Sequence, residues 1–175
     1  WLCALFLSEM LTASAMQHFA DELQRAIVLT LFIPLIMSSG GNSGSQATSL
    51  LIRALALQEV RLRDWCRVAL REIPTGIALG AILGVVGIGR IVLCQTLGIY
   101  DYGPHWLLVA VTIGTALVGI VLFGSLSGSM LPFILKRFGF DPASASAPFV
   151  ATLVDVTGLV IYFSVALLIL QGTLL

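Results

Sequence analysis

Apolar residues run through this chain in five long blocks, separated by short stretches where charge, proline and glycine collect. The blocks cover residues 1–19, 24–57, 73–97, 105–131 and 146–170. A membrane-spanning helix needs about 20 mostly apolar residues, so the pattern predicts an all-α membrane protein with five transmembrane helices per chain. The second block is longer than a ~30 Å hydrocarbon core requires, and it is expected to tilt, kink or protrude. Inside it, residues 38–46 read SSGGNSGSQ without an apolar interruption. An unsatisfied polar group in hydrocarbon costs several kcal/mol, so such a stretch must be buried in protein or line an aqueous cavity. Pro34 removes a backbone donor just upstream, and Gly40, Gly41 and Gly44 open the backbone to close approach. Together these features predict a broken helix lining a pathway.

Composition agrees with a membrane domain: 58% of the residues are hydrophobic and 10% charged, against about 25% charged in a soluble domain. The five blocks consume most of the chain and leave no soluble domain over. With no Met, basic leader or cleavage site ahead of the first apolar run, the chain is expected to be a fragment of something longer. Cys3, Cys66 and Cys94 are scattered without CxxC spacing, which favours packing roles over a zinc site or a disulfide framework. Gly76, Gly80 and Gly84, and again Gly124 and Gly128, fall at the four-residue spacing that lets helix backbones approach. A net charge of zero excludes a basic nucleic-acid surface, and the informative quantity is where the charges lie. Arg61, Arg63, Arg67 and Arg71 share residues 58–72 with Trp65, a stretch expected to lie on the membrane surface. With Arg53, Lys136 and Arg137 these make seven of the nine basic residues on one side. That side is expected to be cytoplasmic, which puts the N-terminus inside and the C-terminus outside. Arg90 is the exception and is expected to snorkel.

Two acids fall at membrane depth, Glu9 and Asp155, and an intramembrane ionisable residue is a functional-site hypothesis by default. At 100° per residue, Ala151, Thr152, Gly158 and Tyr162 share a helix face with Asp155, whereas Leu153 and Val160 fall behind it. Asp155 is therefore on a small, partly polar face, ~14 Å from the end of its block and near mid-membrane. Carbonyls, amides, hydroxyls and one carboxylate, without thiolate or imidazole, favour a hard cation, and Mg²⁺ keeps several waters and needs only one or two carboxylates. In a twofold dimer, Asp155 of each chain could face the same axis. Enzyme chemistry is not expected: His18 and His105 lie at the outer rim, far from Ser43 and Ser45, and there is no GxSxG or HExxH. Two alternatives stay open, a broader divalent-cation or proton-coupled exchanger using Glu9, and a non-transporting assembly module.

Three runs carry a resemblance: residues 32–57 (FIPLIMSSGGNSGSQATSLLIRALAL), 63–72 (RDWCRVALRE) and 141–166 (DPASASAPFVATLVDVTGLVIYFSVA). The chain resembles, over its whole length and in the same order, the transmembrane domain of the MgtE family of magnesium transporters and channels. The resemblance implies a homodimer in the cell (inner) membrane, with a pore lined by the second and fifth helices. It implies Mg²⁺ as the transported ion, bound near Asp155 and aided by backbone oxygens around Ala151 and by Gly41 and Gly44 of the run that also holds Asn42. It further implies cytoplasmic sensor domains, an N-terminal helical domain and a CBS pair, outside this chain. Ala147 stands where some members carry Asn, and Glu9 is shared by only part of the family.

Overall fold

The computed structural model describes residues 2–175, and the side chains of all of these but Ala4, Ser144, Ala145 and Ser146. Every regular element among the described residues is helical: α1 (Leu2–His18), α2 (Ala20–Arg25), a 3₁₀ segment Ile27–Phe32, α3 (Ile33–Ala56), a 3₁₀ turn Leu62–Asp64, α4 (Trp65–Thr96), α5 (Trp106–Arg137) and α6 (Pro142–Leu170). Among the described residues, four stretches are long and apolar enough to cross a membrane, Ile27–Ala56, Leu62–Thr96, Trp106–Arg137 and Ala147–Leu170. The first predicted block corresponds to α1, which is not among these four.

The helix break lies elsewhere than expected. Residues 38–46 are continuous α-helix, and the irregularity falls upstream, in the 3₁₀ segment Ile27–Phe32. Pro34 explains this: it occupies the first turn of α3, where a backbone N–H has no intrahelical acceptor anyway and the fixed φ is already helical. Nor do the arginines of residues 58–72 lie on a separate surface piece throughout. A 3₁₀ turn at Leu62–Asp64 leads straight into α4 at Trp65, so Arg67 and Arg71 ride on its first turns.

α5 is the centre of the bundle, touching α3, α4 and α6, while α1 packs on α6. Glycines set these contacts. α3 runs parallel to α5, with Gly40 against Gly124 and Gly44 against Gly128, backbone to backbone. α4 runs antiparallel to α5, with Gly76 against Leu122, Gly80 against Val118 and Gly84 against Gly114. α6 runs antiparallel to α3, Val154 meeting Gly40 and Val150 meeting Gly44. The connection closing the α4 end is built on Asp101, which accepts from Gly103 N–H at 2.8 Å and from Gln95 Nε2 at 3.1 Å. These two bonds hold its carboxyl below the usual carboxylate range.

Pro132 sits inside α5 rather than ending it. Having no N–H, it strips the Gly128 carbonyl, four residues back, of its helical donor. The Thr48 hydroxyl on α3 supplies the replacement, donating to that carbonyl at 2.9 Å from a fully buried position. A Ser43–Ser125 hydroxyl pair at 2.7 Å adds a second polar tie between the same helices. Thr48→Val keeps the shape and deletes the donor, leaving a buried carbonyl unpaired. We expect it to lower stability by about 1–3 kcal/mol, readable as a lower midpoint in thermal or denaturant unfolding in detergent, while Ser49→Ala, an exposed position, leaves the midpoint unchanged.

Candidate functional site

Helix periodicity divides α3 into a dry face and a wet one. Ile36, Gly40, Gly44, Thr48 and Leu51 are buried toward α5 and α6. Ser38, Asn42, Gln46 and Ser49 are exposed on the opposite side. Asn42 Nδ2 donates to Ser38 Oγ at 3.1 Å, and Asn42, Ser45, Gln46 and Ser49 line a shallow groove of about 480 Å³. This polar stripe is turned away from the chain's own bundle.

α6 borders the stripe. Gly41 is half-buried beside Ala151, where an added Cβ would lie 4.0 Å from the Ala151 Cα. The antiparallel register continues to Tyr162, whose hydroxyl donates to the Leu29 carbonyl at 2.9 Å. Asp155, one turn beyond Ala151, is therefore level with Met37 and Ser38 of α3. Its side chain is half-buried.

The acid on α1 belongs to the same neighbourhood. α1 packs on α6, and the exposed Glu9 is the charged group within electrostatic reach of Asp155. Among the described residues no basic side chain pairs with either acid. Two carboxylates without a base between them repel unless a cation or a proton is held there. No group of three or more His, Cys, Asp or Glu that could cage a metal occurs among the described residues. One chain thus offers sparse charge and many neutral oxygens, which suits a cation that retains its water.

The residues named from the sequence are not equivalent in position. Ala151 and Gly41 lie together along the α3–α6 boundary, Asp155 follows one turn further along α6, and Asn42 opens onto the groove on α3. Glu9 approaches from α1. Gly44 is buried between Val150 and the backbone of Gly124, and the neighbour that turns toward the groove is Ser45. Sequence reasoning saw close approach at Gly40 but missed that it packs on α5, and it passed over Thr48; both residues hold the stripe against α5. The four-residue spacing of Gly40 and Gly44, the same as that of Gly124 and Gly128, was the available signal for the first.

Comparison with known proteins bears on this arrangement. Residues 33–165 match the MgtE family, described as a divalent cation transporter. The chain is 44% identical over 172 residues to the magnesium transporter MgtE of Thermus thermophilus, a match spanning 98% of this chain and 36% of that protein. It is 33% identical to the magnesium transporter MgtE of Enterococcus faecalis over 95% of this chain and 35% of the relative. The Bacillus subtilis magnesium transporter MgtE is 31% identical, again over 95% and 35%. The chain thus spans about a third of the length of these relatives. With a family match that runs from the start of α3 almost to the end of α6 and takes in both the polar stripe and Asp155, this chain belongs to the MgtE family of divalent cation transporters.

Proposed function

We propose that this chain forms, as a homodimer in the cell membrane, the pore through which Mg²⁺ enters the cytoplasm down its electrochemical gradient. The observation that carries the reading is the α3 stripe: hydroxyls and amides exposed outside the bundle, beside a half-buried Asp155 that has no basic partner. Lipid cannot satisfy those groups. A second copy across a twofold axis would cover them and bring two Asp155 carboxylates to one hydrated ion. In this reading α1 is a fifth crossing, which leaves the N-terminus cytoplasmic and the C-terminus outside.

Asp155 supplies charge, and the backbone oxygens around Ala151 and Gly41, with Asn42, orient the water shell. Gly44 contributes by letting α5 and α6 approach α3 closely enough to hold that geometry. The name shared by the relatives, magnesium transporter, supports Mg²⁺ as the ion. In a longer protein, cytoplasmic sensor domains would regulate the pore. The driving force needs no nucleotide: 100 mV is worth about 2.3 kcal/mol per elementary charge, and about twice that for a divalent ion.

Glu9 beside Asp155 favours a second reading, in which a proton alternates with the ion. Purified chain in liposomes separates the two. Under the pore reading, Mg²⁺ uptake follows an imposed inside-negative potential and is unchanged when a pH gradient is collapsed. Uptake that stops with the pH gradient favours the exchanger, and no uptake of Mg²⁺ or any other divalent cation leaves an assembly module.

A further inference from the structure

At the arginine-rich end of the bundle, the 3₁₀ turn before α4 and the last turns of α5 enclose a groove of about 520 Å³. Its floor is apolar, made by Met130 and Phe133, the latter packed on Leu51 and Leu55 of α3. Leu62 and Ile134 form the walls and are 42% and 49% exposed. Arg63 and Arg137 stand at the rim, and neither forms an ion pair among the described residues. Arg67, one helical turn away, is by contrast 4.0 Å from Asp64. Trp65 completes the lining and is 54% exposed.

A hydrophobic slot capped by two unpaired guanidinium groups and an indole matches one class of molecule well. Alkyl chains fill the floor, a phosphodiester meets the arginines in bidentate geometry, and tryptophan prefers the depth at which the two join. The antiparallel packing also brings the C-terminal ends of α3 and α5 and the start of α4 to one end, which gathers Arg53, Arg61, Arg63, Arg67, Arg71, Lys136 and Arg137 there. Such an end faces the anionic leaflet. We propose that this groove binds an anionic phospholipid, its headgroup phosphate between Arg63 and Arg137 and the first part of an acyl chain over Met130 and Phe133. The site is independent of the ion pathway.

The test is native mass spectrometry of the purified, delipidated chain back-titrated with dioleoyl phosphatidylglycerol or dioleoyl phosphatidylcholine. The wild type is expected to retain phosphatidylglycerol in preference to phosphatidylcholine. A basic residue near an anionic surface is worth about fivefold in binding, so Arg63→Gln with Arg137→Gln should reduce that preference about 25-fold. Arg67→Gln should leave it intact. Met130→Trp, which fills the floor without touching charge, should lower occupancy by either lipid, and it carries the test if the double variant does not fold. Equal retention of the two lipids by the wild type would overturn the proposal. So would an equal loss from Arg67→Gln, which would mark diffuse charge attraction, or full displacement of the lipid by inorganic phosphate, which would mark a headgroup anion site without a chain.

Discussion

Asp155→Asn is expected to weaken Mg²⁺ binding in the proposed pore on the order of 100-fold and to remove measurable Mg²⁺ uptake, with the fold unchanged. Asparagine keeps the size and a hydrogen-bonding oxygen, so the difference isolates charge. Two unit charges 4 Å apart attract by about 4 kcal/mol at an effective dielectric of 20, and a divalent ion doubles that. Even a third of the result, about 2.7 kcal/mol, is a factor of about 100. Asp155→Ala should be at least as damaging, since it leaves neutral oxygens alone to compensate an ion that sheds water reluctantly. Isothermal titration with Mg²⁺ and liposome uptake measure the two effects, with circular dichroism and the detergent-stable oligomer recorded beside them. Normal affinity and uptake in a folded Asp155→Asn variant would remove Asp155 from the site and make Glu9 the candidate. Glu9→Gln in parallel separates the proton-coupled reading, in which it alone should abolish the dependence of uptake on a pH gradient.

The second large effect is expected at Gly128. A methyl group there would run into the carbonyl and backbone of Gly44, and backbone in a packed helix has no rotamer by which to retreat. Overpacking in a core costs about 1–3 kcal/mol when side chains can adjust, so Gly128→Ala should exceed that range and separate α3 from α5. It would also pull the Gly128 carbonyl away from Thr48, uncovering the acceptor that Pro132 leaves open. Gly89→Ala is the matched control on the neighbouring helix: nothing lies within 4 Å of an added methyl, and the gain in helix propensity makes it neutral to slightly stabilising. The unfolding midpoint of Gly128→Ala should fall well below that of Gly89→Ala in the same detergent, and similar midpoints would show that the α3–α5 seam is looser than its contacts imply.

Much of this was readable from the residues. Hydropathy located the long helices because hydrocarbon requires a minimum length of apolar chain whatever the tertiary fold. The arginines marked one end of the bundle for an equally local reason. What stayed hidden depends on partners far along the chain. Ser38 through Gln46 read as a break, and the stretch is a continuous helix because Gly124 and Gly128 stand opposite Gly40 and Gly44; a glycine's effect on a helix is decided by what packs against it. Pro132 invites a helix end, and its tolerance rests on a threonine 84 residues earlier by number, a pairing no local pattern announces.

The seam between α3 and α5 has a mechanical meaning as well. Its two glycine pairs repeat every four residues on both helices, Gly40 with Gly124 and Gly44 with Gly128, so the surfaces mesh like racks with a pitch of ~6 Å. A smaller axial slip would drive a side-chain tooth onto bare backbone, and a full step would leave one pair unengaged. Longitudinal creep of the polar helix is thereby locked out. Any widening of the proposed pore must instead come as tilting about this hinge line or as movement of α1 and α6, whose contacts are made by side chains that can yield.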